Sequence, residues 1–153
     1  MTLDKIDRAI LRALQDDARL ANVELAEKVG LSPSACSRRV HALERDGAIR
    51  GYHAELDEAR LGGAVQVIVM ITLSGQSAEK IAEFEAAVAR VPEVLVCYLM
   101  TGVHDYLLRV AARDLADFER IHKERLSPLP HVVKMESSFT LRAVVNRPLS
   151  VPA

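Results

Sequence analysis

Residues 22–47, NVELAEKVGLSPSACSRRVHALERDG, contain two helix starts and two helix stops, and that punctuation decides how the N-terminal third is read. Asn22 is a good N-cap, and Leu25, Ala26 and Val29 follow at helical spacing until Gly30, which suits the left-handed position that ends helices. Only Leu31 separates that stop from the next start. Ser32 is the expected cap and Pro33 takes the first helical position, where its missing N–H costs nothing; this helix closes at Gly47. Upstream, Leu3, Ile6, Ile10 and Leu14 recur at helical spacing, with Asp4 as cap and Asp7 answering it from N3. Three helices, the last two joined by a short Gly-containing turn, form a helix-turn-helix, whose last helix enters the major groove of double-stranded DNA.

The wheel of that last helix agrees. At 100° per residue, Cys36, Val40 and Leu43 fall within about 60° of one another and form the buried stripe. Opposite them lie Ser34, Arg38, His41 and Arg45, with Ser37 and Arg39 on the flanks, all groups that bond base edges and phosphates. Ser34, Ser37 and Arg38 sit near the N-terminal end, which a recognition helix presents to bases. Arg45 and Arg50 are expected at phosphates, and Arg39 is divided between DNA and an intramolecular ion pair. Residues 1–56 hold nine basic and nine acidic residues, so one copy is expected to bind non-specific DNA only modestly.

Beyond Gly47, AIRGYHAEL alternates in a way that predicts a short strand, completing a winged helix-turn-helix, and residues 57–63 have the composition of a linker. The remainder reads as strand 65–73, helix 78–91, strand 94–101, strand 105–112, helix 115–126 and a long strand 132–145. The order β-α-β-β-α-β predicts a ferredoxin-like sandwich, making the protein α+β with domains at 1–56 and 64–153. Ile81, Phe84 and Val88 of the first helix, and Leu115, Phe118 and Ile121 of the second, are expected to cover one face of the sheet. The first strand is apolar on both sides, because Val65, Val67, Val69, Ile71 and Leu73 alternate with Ile68 and Met70. Its second face therefore needs another cover, and a second copy of the chain is the expected one.

Composition bounds the rest. The 153 residues are 50% hydrophobic, with 20 Lys plus Arg against 21 Asp plus Glu and a net charge of −1, so any polyanion partner must be met by local charge. Cys36 and Cys97 lie far apart in apolar or helical stretches, as expected of buried reduced thiols. No basic-flanked apolar leader and no run of 18 apolar residues occurs, which predicts a cytoplasmic chain with no membrane partner.

The stretches LDKIDRAILRALQDDAR, NVELAEKVGLSPSACSRRVHALERDGAIRGY and CYLMTGVHDYLL resemble, in order and over nearly the whole chain, the leucine-responsive and asparagine-regulator (Lrp/AsnC) family of transcription factors. The resemblance implies a sequence-specific DNA-binding regulator that dimerises through its C-terminal sheets, assembles further into tetramers or octamers, and responds to a small effector, usually an amino acid. Its effector site would use Met100, Thr101, Gly102, His104, Asp105 and Tyr106 with hydroxyls on the last strand, here Ser137. Chemistry agrees: Asp105 can meet an ammonium, and a turn at Gly102 can expose backbone donors and admit close approach. Two positions depart from the family: His104 stands where an aromatic or aliphatic residue is common, and the usual Thr-x-Thr of the last strand reads Met135, Glu136, Ser137.

The siroheme decarboxylases are similar in architecture and offer an enzymatic alternative. His41, His53, His104, His122 and His131 lack metal-ligand spacing, however, and no nucleophile or phosphate-loop signature appears, so neither catalytic residues nor a cofactor is expected. The exposed Arg38, Arg39 and Arg45 of the third helix also serve no enzyme, and the intact helix-turn-helix counts against a third reading, an amino-acid-binding module without DNA function.

Overall fold

Side-chain N-caps start the first and third helices. The computed structural model describes residues 2–57, 60–61, 65–147, 149 and 151. Helix α1 (Lys5–Asp16) begins in a reciprocal box, with the Asp7 N–H donating to Asp4 Oδ1 at 2.7 Å and the Asp4 N–H to Asp7 Oδ2 at 3.1 Å. Helix α2 (Asn22–Val29) is capped one residue earlier than expected, at Ala21. Asn22 instead lies in the first turn and donates its amide to the Pro33 carbonyl at 2.8 Å, tying α2 to the next helix. Gly30 ends α2 at φ 70°, and Ser32 caps α3 (Pro33–Arg45) by accepting from the Ala35 N–H. Ile10, Leu25, Ala26, Cys36 and Leu43 form the core between them.

The strand expected over 48–56 does not form. Alternation allows an extended chain, but a ladder needs a second strand to take its amides, and none lies beside this segment among the described residues. It is tied down instead by the Ile49 N–H to the Leu43 carbonyl at 3.0 Å and by the Tyr52 hydroxyl to Glu44 at 2.9 Å. The chain divides into two compact units, and the first comprises residues up to 55 together with those from 145 onward. The tail from 145, expected within the second domain, thus groups with the helices: Gln15 donates its amide to the Leu149 carbonyl at 2.6 Å, and Val151 lines a cleft of about 760 Å³ with Leu11, Leu14 and Ile49. The linker expected at 57–63 falls largely outside the described residues.

The second unit, residues 56–144, holds β1 (Val65–Leu73), α4 (Ala78–Val88), β2 (Val94–Leu99), β3 (Tyr106–Ala112), α5 (Leu115–Ile121) and β4 (Val132–Phe139). The strands form one antiparallel sheet in the order β2-β3-β1-β4. Val67, Val69 and Ile71 of β1 and Leu108 and Val110 of β3 point to one face, where Phe84, Val88, Phe118 and Ile121 cover them. Leu115, expected in that layer, is exposed. Strand β4 ends at Phe139 rather than 145; the Thr140 N–H reaches the Gln66 carbonyl at 2.9 Å, and among the described residues no strand lies beyond it to pair with. The expected single helix 115–126 changes pitch at His122, where a π-helical turn runs to Leu126.

One carboxylate pins the start of α5. Asp117 accepts from the Arg113 guanidinium at 3.1 and 3.2 Å, from the Arg113 N–H at 3.1 Å and from Arg120 at 2.9 Å. The Arg113 bonds, then those of Arg120, hold its carboxyl well below the ordinary carboxylate range. A depressed pKa in the folded state contributes stability that is complete above the unfolded value and fades as pH falls below it. Asp117→Asn is therefore expected to destabilise the protein at neutral pH, with the gap to wild type shrinking as urea titrations move from about pH 7 to about pH 3. A gap that stays constant with pH would remove the ion pairs as its cause.

Candidate nucleic-acid interface and effector cavity

Burial of Cys36 and Leu43 turns the other side of α3 outward, so Ser34, Arg38, His41 and Arg45 are exposed, Ser37 is half-buried, and Arg50 is exposed beyond the helix end. Partners separate the cations. Arg38 and Arg50 have none among the described residues, whereas Arg45 meets Asp46 at 3.3 Å and His41 meets Glu44 at 3.2 Å, both on the surface where such pairs hold weakly. Glu44 is held below its ordinary pKa, first by the Tyr52 hydroxyl and then by His41.

Arg39 resolves differently from its neighbours. Its Nη1 donates to Asp4 Oδ2 at 2.6 Å and to Asp7 Oδ1 at 2.7 Å, closing the capping box of α1 onto the middle of α3. Both carboxylates belong to the box, so turning Arg39 toward DNA would strip Asp7, which is largely buried, of its counter-charge. Of the two roles open to Arg39 in the sequence, the intramolecular pair is the one that forms.

In the second unit, Met100, Thr101, Asp105 and Tyr106 line a cavity of about 300 Å³ together with Leu73, Gln76, Ile81 and Leu99. Asp105 is 7% exposed, and its carboxylate accepts from the Leu73 N–H at 2.7 Å and from the Gln76 amide at 2.7 Å. Its own N–H donates to the Ile71 carbonyl at 2.8 Å, so the residue locks the hairpin to the end of β1. The Met100 N–H to Asp105 carbonyl bond, 2.8 Å, closes the hairpin. The Tyr106 ring packs on Phe84, tilted by 38° with centroids 4.6 Å apart, and its hydroxyl donates to Glu85 at 2.9 Å; burial, then Glu85, pushes the phenol far above its ordinary pKa.

Three expected members lie elsewhere. Gly102 adopts φ +121°, which L side chains rarely take, but space is open where a Cβ would stand. The turn needs this glycine for its backbone, not for close approach. His104 faces Thr72, at 3.3 Å, and Glu136, at 3.5 Å, on the side of the sheet away from the helices. Ser137 pairs with Val69 on β4, beyond β1 from the hairpin, because alternation placed it on a strand without saying which neighbour that strand would take. Leu73, Gln76, Ile81 and Leu99 were not legible as lining; Gln76 sits 29 residues from the carboxylate it touches, with no local signal joining them. Among the described residues, no group of His, Cys, Asp or Glu is arranged to hold a metal, and no helix is long and apolar enough to cross a membrane.

Comparison with known proteins places these two regions. Residues 3–50 match the winged helix-turn-helix DNA-binding family, and residues 66–150 match the Lrp/AsnC ligand binding domain. The chain is 45% identical over 145 residues to the Bkd operon transcriptional regulator of Pseudomonas aeruginosa, covering 95% of each. It is 41% identical to the proline dehydrogenase transcriptional activator of Rhodobacter capsulatus, covering 95% of this chain and 94% of that one. Among solved structures, a transcriptional regulator from Neisseria meningitidis in complex with L-Met superposes with a TM-score of 0.90 at 37% identity, over 99% of this chain and 97% of that one.

The two arginines on α3 yield separable outcomes. Arg39→Ala is expected to lower the urea midpoint by uncoupling α3 from α1. Arg38→Ala, with nothing to lose inside the fold, should stay within about 0.5 kcal/mol of wild type. Asp105→Ala leaves the buried Leu73 N–H unpaired, while the exposed Gln76 amide can turn to water, and it is expected to cost about 1–3 kcal/mol, read by the same titration.

Proposed function

The chain belongs to the Lrp/AsnC family of transcription regulators, and from that premise we propose how its two units divide the work. The first unit binds double-stranded DNA through α3, with Ser34, Ser37 and Arg38 at base edges and His41, Arg45 and Arg50 at the backbone. The observation that carries this assignment is the contrast along one helix: Arg39 is consumed by Asp4 and Asp7, while Arg38, one residue earlier, is exposed and unpartnered among the described residues. A neutral unit gains little from non-specific attraction, so specific affinity rests on these few contacts and on having several copies.

The cavity behind the hairpin is the proposed effector site, and its chemistry favours an amino acid. Asp105 spends two of its acceptor positions on Leu73 and Gln76, leaving others for an ammonium, and Thr101 adds a hydroxyl at the rim. Leu73, Ile81, Leu99 and Met100 supply an apolar wall for a side chain. The Neisseria relative in complex with L-Met supports this ligand class. His104 and Ser137 are left outside the site, in keeping with their positions.

The protein self-associates through the sheet face that α4 and α5 leave bare, as a homodimer that assembles further, and it acts in the cytoplasm where its DNA lies. Its role is regulatory and not catalytic. Relatives named as transcriptional regulators, matched over 95% of this chain, support this over the decarboxylase alternative. An effector that binds one assembly state better than another shifts DNA binding by a coupling of about 1–3 kcal/mol.

Footprinting upstream of the protein's own gene, repeated with each amino acid, tests both halves. Arg38→Ala is expected to weaken operator binding by about 1–3 kcal/mol and relax preference at one position, and unchanged affinity would take Arg38 off the contact surface. Thr101→Val should blunt the amino-acid response while leaving effector-free DNA affinity at the wild-type value. A full response in that variant would move the effector elsewhere.

A further inference from the structure

The bare face of the sheet carries one guanidinium, and among the described residues no carboxylate meets it. Register places Arg109 of β3 between Val96 of β2 and Ile68 of β1, facing away from the helices. The next row on the same face is Tyr98, Leu107, Met70 and Glu136. Arg109 is half-buried, its Nε is buried without a hydrogen-bond partner, and no carboxylate meets its guanidinium among the described residues. A guanidinium stays charged at any physiological pH, so leaving it unpaired among apolar side chains carries a desolvation cost with no return.

The four strands contain one acid, Glu136. It lies on the same face as Arg109 but on β4, with β1 between them, so two strand spacings of about 10 Å keep the pair apart within one chain. Lys134 and His104 hold the Glu136 carboxylate on that face, and its side chain remains 48% exposed. A two-fold axis parallel to the strands and lying over β1 would bring β3 of one copy opposite β4 of the other. The same patch then meets itself, as an isologous interface requires.

We infer that Arg109 pairs across the sheet-to-sheet interface with Glu136 of a second copy of this chain, twice per dimer, flanking an apolar centre built on Ile68 and Met70 of β1. The inference rests on the self-association proposed above and adds the contact that sets its register and partner choice. Apolar contact alone lets two such faces slide or meet the wrong sheet; two separated charge pairs admit one alignment. Tyr98, 60% exposed beside this patch, lies on the edge strand next to Arg109 and would be covered by the same union.

Charge reversal in trans tests it. Arg109→Glu places two carboxylates against each other at both contacts, Glu136→Arg places two guanidinium groups there, and each variant alone is expected to weaken the dimer at least tenfold by sedimentation. Mixing the two single variants makes heterodimers in which both contacts are again opposite in sign, and these should recover dissociation constants near wild type. A structural role within one chain predicts no recovery on mixing. Circular dichroism checks the folding of each variant. If Arg109→Glu does not fold, Glu136→Arg at its half-exposed position carries the test alone. Single variants that dimerise like wild type, or weakened variants that fail to recover on mixing, overturn the pairing while the dimer stands. A wild-type protein that is monomeric at micromolar concentration overturns the dimer and the pairing together.

Discussion

Everything in the second unit hangs on β1, a strand that has to be covered on both of its faces. Val67, Val69 and Ile71 are completely buried beneath α4 and α5, while Ile68 and Met70 face the other way. Because β1 is flanked by β3 and β4, both of its backbone edges are spent on ladders, and among the described residues no helix packs on its second face. The same strand positions the cavity. The last residues of β1 bond Asp105 through the Ile71 carbonyl and the Leu73 N–H, so the hairpin and the pocket wall are set by the strand's end. The proposed effector cavity and the proposed assembly face thus share one strand.

The first unit solves a different problem, that of holding a recognition helix at a fixed pose with a small core. Five buried apolar residues supply the centre, and polar ties set the angles: Asn22 to Pro33 between α2 and α3, and Arg39 to Asp4 and Asp7 between α3 and α1. Using an arginine of the recognition helix as a tie removes one cation from the binding face. In exchange, the capping box of α1 becomes a tertiary contact between α1 and α3.

Much of this organisation is legible from residues alone. The caps at Asp4 and Ser32, the stop at Gly30 and the stripe of Cys36 and Leu43 act over three to seven residues, where local hydrogen bonds and helical periodicity decide the outcome. The apolar alternation of residues 65–73 is equally local, and so is its implication that two faces need cover. The errors are local signals overridden by distant supply. Residues 48–56 alternate without a partner strand among the described residues, 140–145 continue the β4 pattern beyond the last ladder bond at Thr140, and the tail from 145 leaves the sheet to pack beside α1.

The sequence by itself determined the two-unit plan, the helix that faces DNA, and the strand that cannot stand uncovered, because each follows from spacing along the chain. Only the tertiary structure decided which charges are free. Arg38 and Arg39 are adjacent and chemically identical, and what separates them is a pair of carboxylates more than thirty residues away. Asp105 looks from the sequence like a free ligand for an ammonium, yet in the fold it already accepts two bonds from residues 29 and 32 positions distant. Arg109 sits in an unremarkable strand, and its lack of a partner follows from the order of strands in the sheet, which places the lone acid across β1. Electrostatic state is a property of neighbours in space, and periodicity carries no record of them.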